Sequence, residues 1–298
     1  MRSRPPVRAV WDAVRVPGST APYDTVHYRV AFPAAAPDPA RDPVLGLVPP
    51  DRDGLPVVVL HANFNMDGIG LRWLECELAL AGFAVVTPQW VGPMVDGRPG
   101  LPTGVDFATL DHNYLDELLH SLAGCLVADH LDLTRVVLGG HSAGGTLALL
   151  AAHRVAGGFS YGGHTRAQRG QGHGVDHYLP LAGDSPLLLM AGTADGVAGA
   201  IANAQGHDVS VLPMREAFRQ SVAPGRPAWL VLVEGADHYA FLGEYDGSTG
   251  RGYLESPGPR DPAEVRAVLA PVIVDFVRGC VEDSGFDVLG APRGERHV

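Results

Sequence analysis

The sequence predicts an α/β fold: a mostly parallel central sheet with helices on both faces. Three observations predict it. Short, continuous apolar runs recur from residue 55 onward, as strands buried on both faces require. Helix-like stripes with apolar residues three and four apart separate those runs. A strict two-residue alternation occurs near the start, which adds an antiparallel strand pair to a sheet otherwise built by crossovers.

The elements follow in order. AVWDAVRV (9–16) and TVHYRVAF (25–32) read as the antiparallel pair; in the second, Val26, Tyr28, Val30 and Phe32 share one side and Thr25, His27 and Arg29 the other. The Ala-, Pro- and Asp-rich run over 33–54 is a loop, with no independent core before it. VVVL (57–60), FAVV (83–86) and VVL (136–138) are buried strands. Between the first two, Leu71, Leu74 and Leu78 share a helical face and Gly82 stands where that helix should end. Leu110, Tyr114, Leu118 and Leu122 form a second stripe. TLALLAAHRV (146–155) is helix-prone, and VAGGFSY (155–161) carries the next strand. LLLM (187–190) and WLVLV (229–233) add two strands. Asp261-Pro262 then opens a long last helix with Val265, Leu269, Ile273 and Phe276 apolar. The expectation is one domain over 1–298, with a core of about 55–281, an insert at 162–185 and a flexible tail at 282–298.

Composition narrows the partners. The 298 residues carry a formal charge of −11, which argues against nucleic acid or an anionic membrane as the main partner. No apolar run approaches the ~18 residues of a membrane span. The first residues, MRSRPPVRAV, are basic but lack an apolar signal core, so the reading is a cytoplasmic protein. Cys76, Cys125 and Cys280 are far apart and odd in number, as reduced thiols are, and they suggest neither disulfides nor a zinc site. No metal or cofactor is expected.

One stretch points to chemistry. Residues 140–162 contain Gly-x-Ser-x-Gly twice, as GHSAG around Ser142 and GFSYG around Ser160. With 38 glycines in the chain, chance alone gives about 0.2 such matches, so context must decide. A nucleophile elbow needs a strand, a sharp turn bearing the serine, and then a helix, with flanking glycines to let backbones crowd together. Ser142 follows RVVLGG and precedes a helix-prone run; Ser160 follows a helix and precedes GGHTRAQRGQG. Ser142 is therefore the candidate nucleophile, and Ser160 a packing residue.

A serine hydroxyl needs a histidine to take its proton and an acid to orient that histidine. Both partners should follow later strands, in the order acid and then histidine. PLLLMAGTAD delivers Asp195 and AWLVLVEGADHYAF delivers His238. Asp184, Asp208 and Asp237 are weaker candidates, since none directly follows an apolar strand. The oxyanion donors should be the backbone N–H of Ala143 and that of a residue in LHANFN, with Asn63 chosen and Phe64 next. His61 reads as a structural histidine.

GHSAGG after RVVL, GTAD and GADHYAF after later strands, and LHANFN upstream together resemble the α/β-hydrolase superfamily. The open outline is similar to the branch of dienelactone hydrolases, chlorophyllase-like and platelet-activating-factor-acetylhydrolase-like esterases. The resemblance covers residues 57 to about 280. HAN stands where His-Gly is usual, and serine stands where dienelactone hydrolases have cysteine. The resemblance implies a serine esterase without a large cap domain, acting on a small ester or thioester. A thioesterase, a lactonase or an acyl-transferring cyclase would use the same residues, and a non-hydrolytic ligand-binding scaffold is the reading of another class. Phe64, Trp90, Met94, His141 and Tyr239 are candidate pocket residues, with Phe241 beside them. His164, His173 and His177 in the insert match no standard zinc spacing and read as solvated or rim histidines.

Overall fold

A computed structural model describes residues 7–17, 21–22, 24–35, 50–62, 68–90, 94–95, 98–99, 114–166, 177–203, 211–243, 257–282, 284–290 and 294–298. The strands are β1 (Val7–Arg15), β2 (Thr25–Pro33), β3 (Leu55–His61), β4 (Ala84–Trp90), β5 (Met94–Val95), β6 (Arg98–Pro99), β7 (Leu131–His141), β8 (Gly157–Tyr161), β9 (Leu187–Gly192), β10 (Ala228–Val233) and β11 (Gly294–His297). The α-helices are α1 (Arg72–Leu80), α2 (Tyr114–Leu122), α3 (Ala143–Ala151), α4 (Gly196–Asn203), α5 (Leu212–Ser221) and α6 (Pro262–Val281).

Nine strands form one sheet in the order β1-β2-β4-β3-β7-β8-β9-β10-β11, while β5 and β6 make a separate two-residue hairpin. β2 runs antiparallel to both β1 and β4; the pairings from β4 through β3 to β11 are all parallel. The expected N-terminal pair and parallel core are thus both present. Every residue of β3, β9 and β10 is buried, which explains why their sequences are continuous apolar runs rather than alternating ones.

Alternate residues feed opposite faces. Val58 and Leu60 of β3 pack with Leu71, Leu74 and Leu78 and with Val265, Leu269, Ile273 and Phe276 of α6. Val57 and Val59 pack with Leu118 and Leu122 of α2 and with Ala148 of α3. Further along the sheet, Leu149, Met214 and Ala217 cover Leu189 and Leu230. Each fully buried leucine contributes about 1.5–3 kcal/mol relative to exposure, so these stripes fix which face each helix covers. Gly82 ends α1 with φ +101°, a conformation open to glycine. The side chain of Asp261 caps α6 by accepting from the Ala263 N–H at 2.7 Å.

Two parts of the sequence reading change. Helices α4 and α5 were not anticipated, because GVAGAIAN is glycine-rich and LPMREAFRQS follows no clear start signal. The expected flexible tail at 282–298 instead returns to the sheet as β11, parallel to β10. Trp229 anchors the approach by donating its indole N–H to the Gly290 carbonyl at 3.2 Å. Among the described residues of the 162–185 insert there is no helix; residues 167–176, with His173, lie outside them. Among the described residues, no helix is long and apolar enough to cross a membrane.

Candidate active site

The turn between β7 and α3 carries Ser142 at φ 55°, ψ −123°. Among the described residues it is the one non-glycine at positive φ. Such a conformation costs about 1–3 kcal/mol and persists where the surroundings over-determine it. They do so here. The Ser142 N–H donates to the Tyr161 carbonyl at 2.8 Å, and the Ser142 carbonyl accepts the Thr146 N–H at 2.9 Å. Gly140 and Gly144 let three backbone segments meet. A Cβ on Gly140 would stand 2.5 Å from the Gly144 carbonyl carbon and 2.7 Å from the His61 oxygen. One on Gly144 would overlap the carbonyl oxygens of His61 and Ala62. Ser142 and Ala143 remain partly exposed at the head of α3. There the first-turn N–H groups have no carbonyl one turn back and the helix dipole is positive.

Asp195 follows β9 and is fully buried. Its two oxygens have separate partners. Oδ1 accepts the Ala198 N–H at 2.7 Å and so caps α4; Oδ2 accepts from His238 Nδ1 at 2.8 Å. His238 lies in the loop after β10 and is 1% exposed. A carboxylate can only accept, so Nδ1 of His238 carries the proton of this bond and Nε2 is the ring nitrogen left facing away from Asp195. The His238 loop is tied to the segment that carries Ser142. His141, the residue before Ser142, reaches the His238 carbonyl at 2.8 Å through Nε2. A Cβ on Gly162 would be 2.9 Å from the His238 ring, and one on Gly163 would be 2.6 Å from the Ser142 carbonyl.

Asp237, one of the alternative acids, has backbone partners of its own. The Asp237 carboxylate accepts the backbone N–H groups of Tyr239 at 2.9 Å and Gly258 at 2.7 Å, which shapes the loop that carries His238. Asp184 is exposed near the end of the insert's sequence, and Asp208 lies outside the described residues. Ser160 is fully buried in β8 with its Oγ accepting the Gly163 N–H at 3.2 Å, a structural position.

Among the pocket expectations, His141 needs correction: it is fully buried and lines no open surface. Its ring packs against those of Tyr161, His238, Tyr239 and Phe241. Tyr239 at 5% exposure and the fully buried Phe241 belong to the same packed group around His141. Asn63 and Phe64 lie outside the described residues, as do the side chains of Trp90 and Met94.

His164, which reads in the sequence as a solvated or rim histidine, is half-buried and feels the charges of Asp195 and His238. Its Nδ1 accepts the Arg166 N–H at 3.2 Å and its carbonyl accepts the Thr146 hydroxyl at 2.8 Å. Burial, aided by Arg166, lowers its pKa to about 4, while Asp195 pulls the other way. His61 ends β3 with Nδ1 donating to the Gly139 carbonyl at 3.4 Å, and burial lowers its pKa to about 4 as well. Burial, reinforced by His238, holds His141 well below the usual imidazole range.

These three neutral histidines set a pH dependence of stability. Unfolding returns them to a pKa of about 6.5, so between pH 6.5 and about 4 the unfolded chain binds protons that the folded chain does not. Stability falls as pH drops through that window and is indifferent to these groups above it. The thermal midpoint should decline from pH 7 to pH 5, and His61→Gln should flatten the decline. A midpoint constant over that range would contradict neutral burial.

No family model matches the chain, and no curated protein matches it in sequence. In shape it is similar to a ferulic acid esterase from Streptomyces cinnamoneus, with a TM-score of 0.66 and 18% identity over 98% of this chain and 95% of that one. In all, 787 solved chains match, so the likeness specifies an architecture and not a substrate. With β2 reversed in an otherwise parallel sheet, and with this structural likeness, the chain has the α/β-hydrolase fold.

Proposed function

We propose that the protein is a serine hydrolase of carboxylic esters, with Ser142 as nucleophile, His238 as base and Asp195 as the acid that orients it. The observation that carries this reading is the buried His238–Asp195 hydrogen bond beside a strained serine at a strand–helix turn. In the reaction, Ser142 Oγ attacks the ester carbonyl while Nε2 of His238 takes its proton. Asp195 favours the resulting imidazolium. The Ala143 N–H at the positive end of α3 holds the oxyanion, and the N–H of Asn63 is the second donor. His238 returns the proton to the departing alkoxide. Water then attacks the acyl-enzyme by the same route and releases the acid.

A fluorophosphonate, which phosphonylates activated serines, tests the assignment. Peptide mapping of the labelled protein should place one adduct on Ser142, and Ser160→Ala should label like the wild type. No adduct on folded protein, or an adduct on Ser160, would overturn the reading. Substrate class is then read from p-nitrophenyl esters of graded acyl length, with thioesters, lactones and ferulate esters alongside. Ferulate esters join the panel because of the structurally similar esterase.

A further inference from the structure

The Asp195 hydrogen bond orients the His238 ring, but something must also fix where the His238 backbone stands relative to Ser142. These residues are 96 apart in sequence, and β8 and β9 lie between their strands in the sheet. Two buried side chains cross that gap. His141 ends β7, directly before Ser142, and pairs in register with Tyr161 at the end of β8. His141 Nε2–H donates to the His238 carbonyl at 2.8 Å, and the Tyr161 hydroxyl donates to the Asp237 carbonyl at 2.8 Å. Consecutive peptide groups of the base's loop are therefore hung from two adjacent strands. The nucleophile is tied to the same pair, since its N–H donates to the Tyr161 carbonyl at 2.8 Å.

The neighbours are shaped for this crossing. A Cβ on Gly192, at the end of β9, would stand 2.8 Å from the Tyr161 hydroxyl and would overlap the Ala236 carbonyl. Only a bare backbone there lets the phenol pass to the next loop. Phe241 stacks on Tyr161 with ring centres 4.9 Å apart and planes 8° off parallel, and it also lies 5.8 Å from the His141 ring. Both bracing side chains are fully buried, so neither contacts substrate. A carbonyl can only accept, so His141 carries its proton on Nε2; its Nδ1 is buried without a hydrogen-bond partner among the described residues. Native proteins seldom leave a buried acceptor unpaired. A phenylalanine would fill the space and leave no such orphan, so packing alone does not account for a histidine here.

We propose that His141 and Tyr161 form a brace that positions the base against the nucleophile, working through the backbone of residues 237–238. The proposal rests on the serine-hydrolase reading above. His141 keeps one ring face against His238, with centres 4.7 Å apart, and its neutrality spares the imidazolium formed in each acyl-transfer step a second cation alongside.

The test uses the full chain and the best ester of the panel. His141→Phe keeps a planar ring and deletes the donor; His141→Gln places an amide N–H near the position of Nε2. Tyr161→Phe removes one oxygen. A misplacement of the order of 1 Å can cost about 10²-fold in rate. His141→Phe and Tyr161→Phe should therefore each lower kcat by about 10- to 100-fold with KM unchanged, and slow fluorophosphonate labelling in parallel. His141→Gln should recover most of the loss. Wild-type kcat in both phenylalanine variants, or a glutamine variant no better than phenylalanine, would overturn the brace. Should His141→Phe fail to fold, Tyr161→Phe carries the test through its kcat-against-KM split. Failure of the hydrolase reading looks different, since the wild type itself would then take up no label on Ser142.

Discussion

Ser142→Ala should lower kcat by about 10⁶-fold and leave a folded, substrate-binding protein. Removing the nucleophile of such a group costs about as much as removing the whole set, whereas removing the acid alone costs about 10⁴-fold. Asp195→Asn should show the smaller loss for a specific reason. The amide can still fill the space of the carboxylate, but its nitrogen can turn toward His238 and select the tautomer with the proton on Nε2, where no proton can be accepted from Ser142. Because Oδ1 also caps α4 through Ala198, the asparagine variant keeps that helix start and should melt near the wild type. The double variant Ser142→Ala/Asp195→Asn should be no slower than Ser142→Ala alone, since an oriented base has nothing to deprotonate once the hydroxyl is gone. Additive losses in the double variant would mean that the two residues act separately, and Ser142→Ala at wild-type rate would remove the serine from the mechanism. Steady-state kinetics on one ester, with circular dichroism to confirm folding, decides among these.

What the sequence disclosed follows the range of the physics involved. β3, β9 and β10 were legible because burial on both faces demands unbroken apolar runs, and α6 because Asp261-Pro262 is a local start signal. Ser142, Asp195 and His238, the proposed reacting groups, were picked out as ordered positions after strands, which needs no knowledge of distances. β11 was not: GERH has no apolar pattern, and its place comes from pairing with β10 some 65 residues earlier. His141 was misread as a pocket residue for the same reason. Its position in GHSAG is local, but its partner is the His238 carbonyl, 97 residues away. His164 likewise looked like one histidine of a polar insert, while the fold brings it within reach of the charges of Asp195 and His238. Short-range patterns nominated the proposed reacting groups, and only the folded chain shows what holds them.

The largest effect on stability is expected from the smallest change, Gly144→Ala. In a helix interior this exchange ordinarily helps by about 0.5–1 kcal/mol. Here the added methyl would occupy the space of the His61 and Ala62 carbonyl oxygens at the end of β3. Both obstacles are backbone, held by the β3–β7 pairing that runs through His61 and Gly140, so neither can rotate aside. Relief requires α3 to slide from the sheet or β3 to bend, a strain of about 3 kcal/mol or more. Gly124→Ala provides the control, because its nearest obstacle is 3.7 Å away and its φ is not positive; that variant should melt at or above the wild-type temperature. The clash also reaches the chemistry. The segment displaced by Gly144→Ala leads from β3 directly into Asn63, the proposed second oxyanion donor, while Ala143 begins the displaced helix. Folded Gly144→Ala should therefore turn over esters far more slowly than its residual stability accounts for, even with Ser142, His238 and Asp195 intact. A variant as stable and as active as the wild type would show that β3 and α3 are not in the tight contact on which the elbow depends.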